Sequence, residues 1–435
     1  MNRLRPSHVS RILLLVALLC VVAAILISWT AYRPVHAQST LGSPLAGLTT
    51  GQTSLFNVGF KLFNEHWDPD HGLGVVYTNN DCANCHALPA AGGTSPTMRT
   101  TFFGALNSDG SFNPLTSEGG FILQPLSIST FVRSCTVAPE HVPTDATLMS
   151  QRLPPDLFGD GLVDAILDSS IKNFAGNKGQ GVDGMTNMVA DWNGVVRPGR
   201  FGSKAQFASL VQAVGQAFSH DIGVTNNVNL SEDCSNTSPA PPGMTCPNLQ
   251  TVCIKAKEPN DTNGKQTIQI MDYAALLAPN PPSTDTAGMA LFVSVGCALC
   301  HNPSYTTPAN VKLLASFTGG KTSVVNALSN QTVNLYSDLL IHRMGPGLAD
   351  CMQFGQAQGD QWKTTSLWNL NSRTVYLHDG RAFDLPTAIQ DHMSFAGPAA
   401  CGNTYPDSEA NTVIQNFNAL SPGDMTTLLN FLGTL

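Results

Sequence analysis

The sequence predicts a mainly α fold in two domains with long irregular loops, after an N-terminal signal peptide. Three observations predict it. Apolar side chains recur at helical spacing in several stretches, and no run of alternating strands is visible. One short motif occurs twice, as Cys82-Ala83-Asn84-Cys85-His86 and as Cys297-Ala298-Leu299-Cys300-His301. Between the copies lies a breaker cluster, Ala278-Pro279-Asn280-Pro281-Pro282-Ser283, which sets the boundary between a first domain over 44–280 and a second over 281–435.

The N-terminus reads as an export signal. Arg3, Arg5 and Arg11 precede an apolar run from Ile12 to Trp29, and Val35-His36-Ala37 offers a small-x-small cleavage site, so the signal spans residues 1–37. The run is long for a signal, so an uncleaved anchor is the alternative, and a membrane is a partner only in that case. Export places the protein in the periplasm. Removing four Arg with the signal leaves 18 basic side chains against 30 acidic, a net charge of −12. Such a surface repels nucleic acid, so none is expected as a partner, and it suits a basic redox partner. With 42% apolar and only 12% charged residues, the chain can bury a core.

The cysteines decide the class of chemistry. Cys-x-x-Cys-His is the attachment site of c-type haem: two thiols add to the porphyrin vinyl groups, and the next His is placed under the iron. Random placement of 11 Cys and 11 His predicts only ~0.007 copies in this length. A redox dithiol or half a zinc site needs no His directly after the second Cys. Two covalently bound haems are therefore expected, held by Cys82, Cys85, Cys297 and Cys300, with His86 and His301 as proximal ligands. A helix that runs into such a motif is how cytochrome c domains begin. Cys135, Cys234, Cys246, Cys253, Cys351 and Cys401 remain, and an oxidising compartment favours disulfides among them. Cys234, Cys246 and Cys253 read as part of a stapled surface loop over 231–265.

The helices follow in order. Phe56, Phe60 and Phe63 mark a short helix before the first motif; residues 87–150 read as irregular. Phe207, Leu210, Val211, Val214 and Phe218 share one face of a helix over about 203–219. A helix N-capped by Thr284 or Asp285 carries Met289, Phe292 and Val293 into Cys297. Asp384 caps another, with Pro386 in its first turn and Leu385, Ile389 and His392 on one face. Ser421-Pro422-Gly423-Asp424 opens a final helix with Leu428, Leu429 and Leu432. No internal repeat beyond the two haem motifs is visible.

The sixth ligand of each iron decides its role, since iron bound by protein on both sides suits electron transfer and an open side can bind substrate. For the second haem the residues offer His392, on an apolar helix face, and Met344, in a Gly/Pro loop. For the first haem no ligand stands out; Met98, His141 and His220 are available. An acid/base group near the first iron would come from Asp164 or Asp221. Trp192 and Trp368 are large enough to lie between the haems, though core packing explains both.

Several further motifs together resemble the di-haem oxidoreductases once labelled thiol oxidoreductases, relatives of the bacterial di-haem cytochrome c peroxidases. They are Gly72-Leu73-Gly74, Arg152-Leu153-Pro154-Pro155-Asp156-Leu157-Phe158-Gly159, Gly199-Arg200-Phe201-Gly202, Gly223-Val224-Thr225-Asn226, Tyr336-Ser337-Asp338-Leu339-Leu340, Met344-Gly345-Pro346-Gly347 and Leu377-His378-Asp379-Gly380-Arg381-Ala382. The resemblance runs from about Phe56 to Leu435. It implies two cytochrome c-like domains with a haem in each, and a periplasmic, peroxidase-like oxidoreductase in which the N-terminal haem is the substrate site. The C-terminal haem then takes electrons from a small donor protein, a cytochrome or cupredoxin. In relatives a distal ligand follows the His-Asp-Gly turn, which favours His392 over Met344 and leaves His378 as a turn or haem-propionate contact. In some relatives a calcium ion bridges the domains. The chain departs from the family at Ser203, usually an aromatic, at Arg343, usually an acid, and at Met393-Ser394-Phe395, usually Gly-Gly-Glu. Two other functions fit the residues: a non-enzymatic di-haem electron carrier, and an oxidase of a sulfur compound or protein side chain.

Overall fold

A computed structural model of the chain describes residues 41–133, 135, 137–230 and 260–435. The signal segment and Cys234, Cys246 and Cys253 lie outside the described residues.

Helix α1 (Thr50–Phe63) begins with a capping box: Thr49 Oγ1 accepts the Gln52 N–H, and Gln52 Oε1 accepts the Thr49 N–H. Its buried residues Gln52, Phe56, Gly59 and Phe63 recur on one face, and Phe56, Phe60 and Phe63 surround the ring of Tyr273 at 5.0, 5.5 and 4.9 Å. Tyr273 belongs to a helix from Lys265 to Leu276. A Cβ on Gly59 would stand 2.1 Å from Gln269 O, so only glycine lets the two helices pack this closely. The first motif forms a single-turn helix, α2 (Cys82–Cys85), capped by the carboxylate of Asp81. Two short helices, α3 (Asp160–Ala165) and α4 (Asp168–Lys172), precede α5 (Leu210–His220), and the Lys265–Leu276 helix is α6.

Helix α7 (Thr286–Val295) is capped by Asp285, which accepts N–H bonds from Ala287 and Gly288, and Gly296 at φ 108° ends it just before Cys297. After α8 (Gly345–Leu348) comes α9 (Leu385–Gln390), where Asp384 accepts the Thr387 N–H. Helix α10 (Asn411–Asn418) and α11 (Pro422–Leu432, capped by Ser421) close the chain.

The mainly α expectation is overturned. Helical residues make up 29% of the described chain and strand residues 18%, the latter in small sheets. Among the described residues seven sheets are two-stranded, and one is three-stranded, with Thr100–Leu106 between Phe112–Asn113 and Leu148–Arg152. Strand alternation is hidden because polar residues face inward. Leu148, Ser150 and Arg152 are the buried positions of their strand, so a Ser and an Arg stand where a strand pattern wants apolar groups. The helix over about 203–219 is likewise shorter than its apolar spacing suggests. Gly202 and Ala205, at φ 79° and 52°, fold 201–207 into a turn closed by a Phe201–Phe207 bridge, and α5 starts only at Leu210.

From Ser39 to Leu435 the chain clusters as one unit. The largest core gathers α1, α5 and α6 around Cys82, yet it includes Tyr305, Leu313, Leu335, Leu340 and Trp368 from beyond the Pro281-Pro282 breaker. A second core packs α7, α10 and α11 with Leu385 and Ile389 of α9 around Cys297 and Cys300, and takes in Val182 from the first half. Buried ion pairs cross in the same way: Arg152–Asp350 at 2.7 Å, Lys178–Asp338 at 2.6 Å and Arg373–Asp156 at 2.6 Å.

Cys351 and Cys401 form a disulfide across 50 residues, and Cys135 is also disulfide-bonded. Replacing Cys351 and Cys401 together by Ser is expected to cost about 2–4 kcal/mol of stability, mainly by freeing the unfolded chain. Denaturant midpoints check this, and a midpoint equal to the wild type's would show that the crosslink adds nothing.

Candidate haem sites

Both Cys-x-x-Cys-His motifs present the same chemistry. None of the four cysteines enters a disulfide, and each is partly accessible. His86 N–H bonds Cys82 O across the first turn, and His301 N–H bonds Cys297 O across the second, so each His is held directly after its second thiol. His86 Nδ1 lies 3.0 Å from Gly93 O, and His301 Nδ1 lies 2.9 Å from Tyr336 O. A backbone carbonyl accepts only from an N–H, so each Nδ1 carries the proton and each Nε2 keeps its lone pair for a metal. Burial pushes both imidazoles down, His301 to about 4, which keeps them neutral as ligands must be. These residues fit a haem at each motif.

The surroundings of the two sites repeat one device that sequence reading missed. A seven-residue turn closed by an antiparallel bridge, Phe201–Phe207 or Tyr376–Ala382, is followed two residues later by a helix cap, Ser209 or Asp384. At or just past each helix end stands a His whose Nδ1 meets the carbonyl four residues back: His220 with Gln216 O at 3.1 Å, His392 with Ala388 O at 2.7 Å. The two segments share almost no identities, so the repeat was legible only in the backbone.

The two copies differ in what they turn towards the haem motif. Beside the second motif it is His392, a half-buried ring close enough to lower the His301 pKa whenever it carries a proton. Beside the first motif it is the residue after the His. The Asp221 carboxyl acts on both Cys82 and Cys85, and its main-chain carbonyl accepts the N–H groups of Thr78 and Asn79 at 2.8 and 2.9 Å. Asp221 Oδ1 is buried without a hydrogen-bond partner, and burial raises the carboxyl pKa to about 7. His220 instead stacks on Phe121, ring centroids 6.1 Å apart.

Asp164 is differently employed. Its Oδ1 accepts the Leu210 N–H at 3.0 Å, capping α5, and the buried Arg200 guanidinium stands nearby. Met344 is buried beside Leu348 and Trp362, where the Trp362 ring stacks on His378 at 3.7 Å. Met98 N–H bonds Ser95 Oγ, and His141 is exposed. Trp192 packs edge-on against Phe317, whereas buried Trp368 belongs to the first core and its neighbour Leu367 to the second.

A further buried assembly flanks the second motif. His342 Nε2 lies 2.9 Å from Asp338 Oδ2, its Nδ1 lies 2.8 Å from Glu409 Oε2, and its ring also meets Cys300 Sγ at 3.7 Å. Lys178 Nζ completes the chain, 2.6 Å from Asp338 Oδ2. Glu409 Oε1 accepts the Arg343 main-chain N–H, so a carboxylate does reach the strand position where the family usually has an acid.

Among the described residues no group of three or more His, Cys, Asp or Glu side chains is arranged to hold a metal ion. No helix among the described residues is long and apolar enough to cross a membrane.

Two motifs that each present paired thiols and a neutral imidazole define a di-haem protein of oxidoreductase type. The chain belongs to the family described as "Di-haem oxidoreductase, putative peroxidase", which matches residues 132–431 and so begins after the first motif. Two solved structures are similar at low levels. Hydrazine synthase of Kuenenia stuttgartiensis, pressurised with xenon, is 13% identical, with 93% of this chain and 99% of that one covered and a TM-score of 0.32. A MauG-like protein associated with microbial copper homeostasis is 13% identical, with 68% and 92% covered and a TM-score of 0.28. Curated protein sequences give no significant match.

Proposed function

We propose that the protein is an exported di-haem c-type oxidoreductase with peroxidase-like activity. The motif at Cys82, Cys85 and His86 would form the substrate site. The motif at Cys297, Cys300 and His301, with His392 opposite, would take in electrons from a small, basic donor cytochrome or cupredoxin. The observation that carries this reading is the asymmetry of the repeated device: an imidazole acts on the second proximal His, and a protonatable carboxyl faces the first motif. Bound haem supplies the redox equivalents for reducing a peroxide. Asp221 would hold a proton at its unpartnered Oδ1 and deliver it to a substrate oxygen, a role that suits a group titrating near neutral pH. His392, kept neutral by burial, would close the second site to substrate.

Low-temperature EPR of the holoprotein, oxidised and half-reduced, with peroxide turnover measured alongside, tests the proposal. A high-spin ferric signal with rapid peroxide consumption by a reduced donor is expected. Low-spin signals alone in both states would leave a di-haem electron carrier. A high-spin signal with poor peroxide turnover would point to oxidation of a sulfur compound or a protein side chain.

A further inference from the structure

Between the two motifs runs a seam of buried charge that the proposed chemistry does not use. On the first-motif side, Arg373 Nη2 pairs with Asp156 Oδ2 at 2.6 Å. The charge of Asp156 reaches His86, and Asn369 Nδ2 holds its other oxygen at 3.1 Å. Arg373 Nε is buried and donates to nothing. Lys363 feels the charge of Asp338, whose main-chain N–H bonds Cys300 O of the second motif. The only hydrogen bond from its Nζ is a long one, 3.4 Å, to the carbonyl of the next residue, Thr364.

The carboxylates near Lys363 do not satisfy it. Asp338 acts on it from a distance, but Asp338 Oδ2 is already taken by Lys178 and His342. Asp160 also acts on it, but burial raises that carboxyl, and among the described residues no hydrogen bond or ion pair joins the two side chains. Arg373 repels Lys363, and burial is the larger of the effects that bring the lysine down to about 8. Both Lys363 and Asp160 are desolvated by surrounding protein yet keep some accessible surface. An under-bonded cation with no carboxylate in contact is costly in such a place unless an anion joins it.

We propose that Lys363 Nζ and the free Nε edge of Arg373 receive carboxylate groups of the bound haems, the porphyrin propionates, along this seam. The inference rests on haem at both motifs and not on peroxide chemistry. Propionates are the anions that a c-type haem itself brings, and two donors with open N–H groups suit them. A cation against a propionate disfavours the ferric form, so its removal lowers the midpoint potential of that haem.

The test is a redox titration of the holoprotein, with both haems counted by mass, for wild type, Lys363→Met and Lys363→Arg. The expected result is a downward shift of one midpoint in Lys363→Met and its recovery in Lys363→Arg. Unchanged midpoints in Lys363→Met with both haems attached would overturn the proposal. If Lys363→Met fails to acquire haem, a crystal structure of the wild-type holoprotein decides: Nζ within hydrogen-bond distance of a propionate oxygen supports the assignment, and Nζ bonded only to protein or water overturns it. Absence of peroxidase activity with the midpoint shift intact would sink the functional reading and leave this one standing.

Discussion

Asp221→Asn is expected to lower peroxide turnover by about 10²–10⁴-fold while both haems stay attached and their spectra stay unchanged. The size follows from the work assigned to the carboxyl. A positioned acid/base group contributes most when its pKa lies near the operating pH, and burial has brought Asp221 to about 7. Asn keeps the shape and the buried amide dipole but cannot take up or give a proton. The pH profile supplies the independent readout: in wild type kcat/KM should bend near pH 7, and in the variant that bend should vanish. Stability should move the other way. A carboxyl whose folded pKa is raised from 3.8 to about 7 loses stability as pH rises from about 4 to about 7, because the folded state must then give up a tightly held proton. Over that window Asp221→Asn should gain stability relative to wild type. Turnover within threefold of wild type, with the same pH bend, would mean that Asp221 is buried for packing alone.

Sequence could not separate Asp221 from Asp164, because both are lone carboxylates beside apolar runs. The difference is tertiary. One oxygen of Asp164 caps a helix 46 residues further on, whereas Asp221 emerges at the end of that same helix with one oxygen unspent. What the sequence did make legible were features whose cause is local. The Cys-x-x-Cys-His spacing fixes thiols and ligand within a single turn, and Asp285, Asp384 and Ser421 cap the helices directly behind them. What it hid were features whose cause lies far along the chain. Arg152 faces inward on its strand because Asp350 waits there, with Phe102 and Phe354 around the guanidinium at 4.1 and 4.9 Å. Read without those partners, a buried Arg breaks the strand pattern and the segment passes for irregular loop. The repeated turn-and-helix device escaped for a similar reason, since it is written in bridges and caps and not in shared residues.

His342→Gln should cost about 3–5 kcal/mol of stability, because among the described residues it leaves Lys178 as the one cation still in contact with the buried Asp338–Glu409 pair, the other donors to these carboxylates being main-chain N–H groups. Each ring nitrogen of His342 sits within 2.9 Å of a carboxylate oxygen, and a carboxylate can only accept, so both nitrogens carry protons and the ring is a cation. Burial works against that cation, but Cys300, Asp338 and Glu409 outweigh it and hold the pKa well above 6.5, the Cys300 share ending once haem is attached there. Burial would likewise raise Asp338, but His342 and Lys178 overcome it and hold the carboxyl at about 2. The two shifts set opposite edges of one stability window. The Asp338 contribution is present above about pH 4 and is lost as pH falls towards 2. That of His342 is present below about pH 6.5 and is lost as pH rises through its raised folded value. Denaturant midpoints of wild type and His342→Gln, followed by second-haem absorption across pH, should therefore differ most near pH 5–6 and converge on the alkaline side. A gap below 1 kcal/mol at pH 6, or one that does not narrow on the alkaline side, would mean that the ring is neutral and that Lys178 alone balances the two carboxylates beside the second motif.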